Sequence, residues 1–121
     1  MSENKIIAVY GTLRTDCKNH HFAAGAISNQ PCTITGTLYD TGYGFPAFEL
    51  EGNTEIVAEL IEVTAQDFAN IEKLEGYPNL YRHQQIPATL PDGSNVQAWV
   101  YIMNRLPEHA TVIKSGDWKK R

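Results

Sequence analysis

Apolar residues along this chain mostly recur with the period of a strand, and once with the period of a helix. Ile6-Ile7-Ala8-Val9 is a short apolar run, mostly β-branched, and predicts a buried strand that stops at Tyr10-Gly11. Thr33 to Tyr39 is threonine-rich and predicts a second strand, broken by the Asp40-Thr41-Gly42-Tyr43-Gly44-Phe45-Pro46 loop. Ala47 to Leu50 reads as a short strand, and Glu51-Gly52-Asn53 as a turn leading to a longer one from Glu55 to Val63. That longer strand places Val57, Ile61 and Val63 on one face and Ile56, Ala58 and Leu60 on the other. Apolar residues on both faces predict a central position. Tyr81 to Leu90 and Asn95 to Met103 flank the turn Pro91-Asp92-Gly93-Ser94 and predict an antiparallel hairpin, with Pro87 at an edge or bulge. In the second of these strands Val96, Ala98, Val100 and Ile102 alternate with Gln97, Trp99, Tyr101 and Met103.

The helical rhythm follows Thr64, which reads as an N-cap with Asp67 three residues on. The predicted helix runs from Ala65 to about Glu75, with Gly76 as its stop and Pro78 beyond. Phe22-Ala23-Ala24 suggests a shorter helical turn, broken at Gly25. Pro107 ends regular structure, and Val112, Ile113 and Trp118 are expected to anchor the tail. About six strands and one clear helix predict an α+β domain. The 121 residues suit one domain, spanning residues 1–121.

Charge and cysteine content narrow the partners. A net charge of −4 argues against nucleic acid and anionic membrane surfaces, which call for basic patches. The basic run Lys119-Lys120-Arg121 reads as a solvated tail. The polar start Met1-Ser2-Glu3-Asn4-Lys5 does not resemble a signal peptide, and no stretch approaches membrane-spanning length. Cys17 and Cys32 form no metal or redox spacing, so free thiols in a reducing, cytoplasmic setting are expected. Cys17, His20 and His21 lie close in sequence, but no fourth ligand at suitable spacing accompanies them, and the segment reads as a polar loop without a metal. A thiol hydrolase built on the same residues would lack an orienting acid.

Two positions carry chemistry. Glycine at position 11 lets the backbone approach a ligand closely, and successive N–H groups in such a turn can gather around a carboxylate or carbonyl. The other reading is an ordinary strand exit. In the predicted helix, Phe68, Ile71 and Leu74 share one arc, and Glu75 falls inside it. Either the helix frays and Glu75 turns to water, or its carboxylate sits in a cavity with a raised pKa and a function.

Together these stretches resemble the gamma-glutamylcyclotransferase superfamily. Tyr10-Gly11-Thr12-Leu13-Arg14 is similar to its YGTLR-type loop. Ile71-Glu72-Lys73-Leu74-Glu75-Gly76-Tyr77-Pro78 with Tyr81-Arg82 is similar to its LDxxEGYP…YxR segment, and Ser115-Gly116-Asp117-Trp118 to the GDW ending of small bacterial members. Ile71-Glu72 stands where the family has Leu-Asp. The resemblance implies a small, partly closed mixed β-barrel with flanking helices and a cavity at one end. It implies cleavage of a gamma-glutamyl amine or amide to 5-oxoproline and free amine, with Glu75 as general base and acid. Tyr10, Gly11, Thr12 and Leu13 would hold the glutamyl part, and Tyr81 would bond the substrate. Arg82 reads as a surface residue. The chemistry requires neither a metal nor an organic cofactor, and a monomer or homodimer is expected. Some members lack the glutamate, so the alternative is a non-catalytic binder of a small metabolite.

Overall fold

The computed structural model describes residues 4–11, 13–14, 26–74 and 81–121. The predicted turn at Phe22 to Ala24, the cysteine and histidines at 17, 20 and 21, Thr12, and the segment from Glu75 through Pro78 lie outside the described residues.

The elements follow the apolar pattern. They are β1 (Lys5–Val9), β2 (Ser28–Asp40), β3 (Pro46–Val63), α1 (Ala65–Leu74), β4 (Tyr81–Thr89), β5 (Asn95–Met103) and β6 (Thr111–Val112). A short 3-10 turn covers Trp118–Lys120. The strands order β3-β1-β5-β4-β2-β6, and β3 also pairs with β2. That extra pairing joins β3, β1, β5, β4 and β2 into a closed five-stranded ring, with β6 attached to the outside of β2. The barrel is mixed, because β1 and β5 run parallel while the other pairs are antiparallel. Closure leaves the ring without a free edge.

Strict alternation divides each strand between two cores. Ala8, Ile34, Leu38, Phe48, Ile56, Ala58, Ala98, Val100 and Ile102 pack together inside the barrel. Ile7, Val9, Ile61, Val63, Tyr101 and Met103 face outward and meet Ile71 and Phe68 of α1. The helix begins as its cap residue predicts. The Asp67 N–H donates to Thr64 Oγ1 (3.2 Å), and the Phe68 N–H to the Thr64 carbonyl (2.9 Å). Ile71 is fully buried against the barrel wall.

Three expectations are corrected. Glu51-Gly52-Asn53 does not separate two strands. β3 is continuous over 18 residues and keeps β2 as its partner on both sides. The register jumps there, with Gly36 opposite Thr54 and Thr37 opposite Glu49, so the turn residues are an excursion within one strand. Second, β2 begins at Ser28 rather than Thr33. Its first four residues are exposed, so no hydrophobic alternation marks them, and pairing with β3 alone makes them a strand. Third, Val112 does not anchor the tail. It lies in β6 and is 52% exposed, whereas Ile113 and Trp118 are buried. The hairpin of β4 and β5 forms in the predicted register, from Tyr81 opposite Met103 to Thr89 opposite Asn95.

Candidate active site

The parallel strands β1 and β5 end at the same rim of the barrel, and β4 begins there. The loop leaving β1 is pinned from both sides. Tyr10 is buried in the interior core, its ring 5.6 Å from that of Phe48, and its hydroxyl donates to the Tyr101 carbonyl at 2.6 Å. Leu13 is buried in the outer core. The Arg14 N–H donates to the Gly11 carbonyl at 3.0 Å, which closes a β-turn between them.

Gly11 is required by space. A Cβ on it would stand 2.5 Å from Pro46 Cγ and 2.7 Å from Pro46 Cδ. Its φ is not among the positive ones, so the left-handed conformation that a glycine there also permits is not used. The loop lies directly on Pro46, the first residue of β3. Pro46 is in turn held by Tyr81, whose hydroxyl donates to the Pro46 carbonyl at 3.0 Å. Tyr81 is buried at the start of β4. Three segments distant in sequence are thus in direct contact at one rim. The loop before Pro46 is fixed by Thr41, fully buried, whose hydroxyl donates to the Phe45 carbonyl (2.7 Å) and accepts from the Tyr43 N–H (3.3 Å). Phe45 packs into the outer core, while Tyr43 is exposed and meets the edge of His109. Arg82 is exposed.

Of the residues expected to form the site, Tyr10, Gly11, Leu13 and Tyr81 are brought together in this way. Thr12 and Glu75 lie outside the described residues. Among the described residues, no group of His, Cys, Asp or Glu is arranged to hold a metal ion. No helix among them is long and apolar enough to cross a membrane.

The ion pair that fixes this rim has no counterpart in the sequence reading. Arg14 is 6% exposed; its Nη1 lies 2.7 Å from Asp117 Oδ1, and its Nε 3.4 Å from Glu59 Oε2. Asp117 also accepts the Lys119 N–H at 2.9 Å, capping the final turn. Burial opposes the charge of Asp117, but the Arg14 guanidinium and the Lys119 amide prevail and hold its carboxyl below the usual range. Gly116 has φ +71°, and a Cβ there would run into the Glu55 carbonyl. Its own carbonyl accepts the Val57 N–H at 2.8 Å, which docks the tail on β3. The signal for the pair was present, since two motifs far apart carry one unexplained charge each, of opposite sign. Beside it, burial and the Glu59 charge push the Cys32 thiol up to about 11, against the pull of Arg14. That thiol is protonated at neutral pH and is a poor nucleophile.

Comparison with known proteins agrees with this architecture. The model of the family described as gamma-glutamyl cyclotransferase, AIG2-like, matches residues 7–120. The gamma-L-glutamyl-butirosin B gamma-glutamyl cyclotransferase of Niallia circulans is 31% identical over 119 residues, spanning 93% of this chain and 74% of that protein. A gamma-glutamylcyclotransferase family protein of Citrobacter rodentium is 32% identical, spanning 95% of this chain and 96% of its own. The crystal structure of YkqA from Bacillus subtilis superposes with a TM-score of 0.75 at 32% identity, covering 97% of this chain and 40% of that one.

Two outcomes test the rim. Replacing Gly11 by valine pushes Pro46 away and with it the carbonyl that Tyr81 holds. Gly11→Val and the milder Gly11→Ala should weaken binding of 5-oxoproline far more than Thr12→Ser, by titration of variants shown to be folded by circular dichroism. Equal affinity in a folded Gly11→Ala protein would detach this loop from the site. For the ion pair, Asp117→Asn should destabilise the fold by about 3 kcal/mol at neutral pH, because it strands part of a buried guanidinium. Asp117 has a lowered folded-state pKa, so its contribution is present above the unfolded carboxylate value of roughly 3.9 and is lost as pH falls through the folded value. Urea unfolding across acidic pH should therefore show the gap between wild type and Asp117→Asn closing as pH drops. A constant gap would remove the charge from the explanation.

Proposed function

The chain belongs to the gamma-glutamyl cyclotransferase, AIG2-like family of enzymes, and on that premise we propose that it converts a small gamma-glutamyl amine or amide to 5-oxoproline and free amine, with Glu75 as the single proton carrier. The observation that carries the reading is the three-way contact of Gly11, Pro46 and Tyr81. It joins the loop assigned to the glutamyl group with the strand that immediately follows the Glu75 segment in the chain.

The reaction asks little of the protein. The substrate's α-ammonium, with an unperturbed pKa near ~8, must lose a proton to become a nucleophile. Glu75 takes that proton. The α-nitrogen then attacks the γ-carbonyl carbon of the same molecule, and the bond from that carbon to the departing amine breaks. The proton passes from Glu75 to the leaving nitrogen, the attacking nitrogen sheds its second proton as it becomes the lactam N–H, and the amine departs as its ammonium, so the glutamate is restored and no water is consumed. Because nucleophile and electrophile share one chain, holding the substrate folded back on itself supplies much of the rate. The N–H groups of the Tyr10 to Leu13 loop are assigned to the glutamyl end, where a donor to the developing oxyanion contributes roughly 3 kcal/mol. The Tyr81 hydroxyl is assigned to the substrate as a hydrogen-bonding group, and its bond to the Pro46 carbonyl sets its orientation at the rim.

The reading is tested with a panel of gamma-glutamyl amines and amides, with 5-oxoproline as the product measured. Glu75→Gln keeps the size of the side chain and cannot take the proton, so turnover should fall by at least about a hundredfold while 5-oxoproline still binds. Near-wild-type turnover would remove Glu75 from the mechanism. Activity should also survive prolonged chelation. Loss restored by added zinc would replace proton transfer by Glu75 alone with a metal-assisted step.

A further inference from the structure

Glu72 and His83 join α1 to β4 on the outer face of the barrel. His83 Nδ1 lies 2.8 Å from Glu72 Oε1, and the two side chains are only 21% and 23% exposed. Both atoms are shut off from water, so each faces the other rather than solvent. The histidine ring is fixed as well. Its edge meets Trp99 at 4.6 Å, with Phe68 at 5.8 Å and Tyr101 at 6.0 Å. Phe68 and Glu72 are one helical turn apart, so α1 closes over the imidazole with both residues. Tyr81 and His83 are two apart on β4 and share a face.

We propose that this contact is a clamp that positions the catalytic groups without touching substrate. On one side it fixes the last described turn of α1, from which the chain passes directly into Glu75. On the other it fixes β4 two residues beyond Tyr81, whose hydroxyl holds Pro46 under the Gly11 loop. A carboxylate and a tyrosine that serve one substrate must keep their spacing, and the clamp ties together the two elements on which that spacing depends. The inference rests on the proposed role of Glu75. Lys5 also approaches this cluster, its Nζ 6.0 Å from the centre of the Phe68 ring.

Steady-state kinetics and amide hydrogen exchange test the clamp in the full chain. His83→Phe keeps an aromatic ring in the box and removes the nitrogen. It should lower kcat by about tenfold to a hundredfold with KM little changed, because misplacement by about an ångström is enough for such a loss. His83→Arg, which puts a side-chain nitrogen back opposite Glu72, should recover much of the rate. Glu72→Gln combined with His83→Phe should cost no more than either change alone, the mark of two residues acting as one unit. Exchange of the α1 amides should quicken in His83→Phe at unchanged protection of the barrel strands. Wild-type kcat in folded His83→Phe, or additive losses in the double variant, would overturn the clamp. Absence of 5-oxoproline formation by the wild-type protein on every substrate would instead overturn the reading on which the clamp rests.

Discussion

The rim of this barrel depends on a guanidinium that has been taken out of water. Arg14 lies between Asp117 of the tail and Glu59 of β3, and Glu59 also accepts from Asn29 Nδ2 of β2 at 3.2 Å. Four segments therefore meet at one charge cluster. Burying an arginine costs several kcal/mol, and two carboxylates offset that cost only where the geometry is held. Glycine at 116 supplies that geometry, since its left-handed backbone turns the tail back onto β3 before Asp117 is presented. The planar fork of arginine can address two acids at once, which a lysine ammonium would do with less direction. The interaction defines where the Gly11 loop ends, because the same residue that makes the ion pair closes the turn through its N–H.

With the loop's end fixed, its interior follows from the two cores. β1 alternates between the barrel interior and the outer face, and the loop continues that division with Tyr10 inward and Leu13 outward. Such a loop cannot shift without unpacking one core or the other. The close approach to Pro46 then follows, and glycine is what allows it. The same logic governs the helix. α1 has one apolar stripe, and the outward faces of β1, β3 and β5 offer the surface to bury it.

How much of this was legible in the sequence depends on the distance over which each signal acts. Local signals were read correctly: Thr64 caps α1, the Pro91 to Ser94 turn joins β4 to β5, and alternation in β5 sorts its residues between the two cores. Long-range pairing was not legible. The four exposed residues at the start of β2 become a strand because β3 lies alongside, and nothing in their own pattern says so. Glu51-Gly52-Asn53 has the composition of a turn but lies within β3, and pairing with β2 resumes beyond the register shift. Val112 follows a simple hydrophobicity rule that fails at β6, where backbone pairing to β2 holds the residue and its side chain stays exposed. At the site, the residue types pointed to the loop and to Tyr81, while Pro46, which joins them, carries no chemical signal and was legible only as a loop breaker.

The two tyrosines at the rim show how such a site combines fixity with chemistry. Both hydroxyls donate to backbone carbonyls, Tyr10 to Tyr101 and Tyr81 to Pro46. A carbonyl acceptor is set by the fold and cannot rotate away, as a side-chain acceptor can. Each phenol is thereby oriented with its lone pairs in a defined direction, at the cost of one donor that a buried hydroxyl would have to satisfy in any case. A reaction in which the substrate attacks itself needs little more than this. The protein must hold one conformation of a short chain and offer one base. Rigid acceptors supplied by backbone, a loop locked between two cores and a helix end tied to the neighbouring strand are means of holding a conformation.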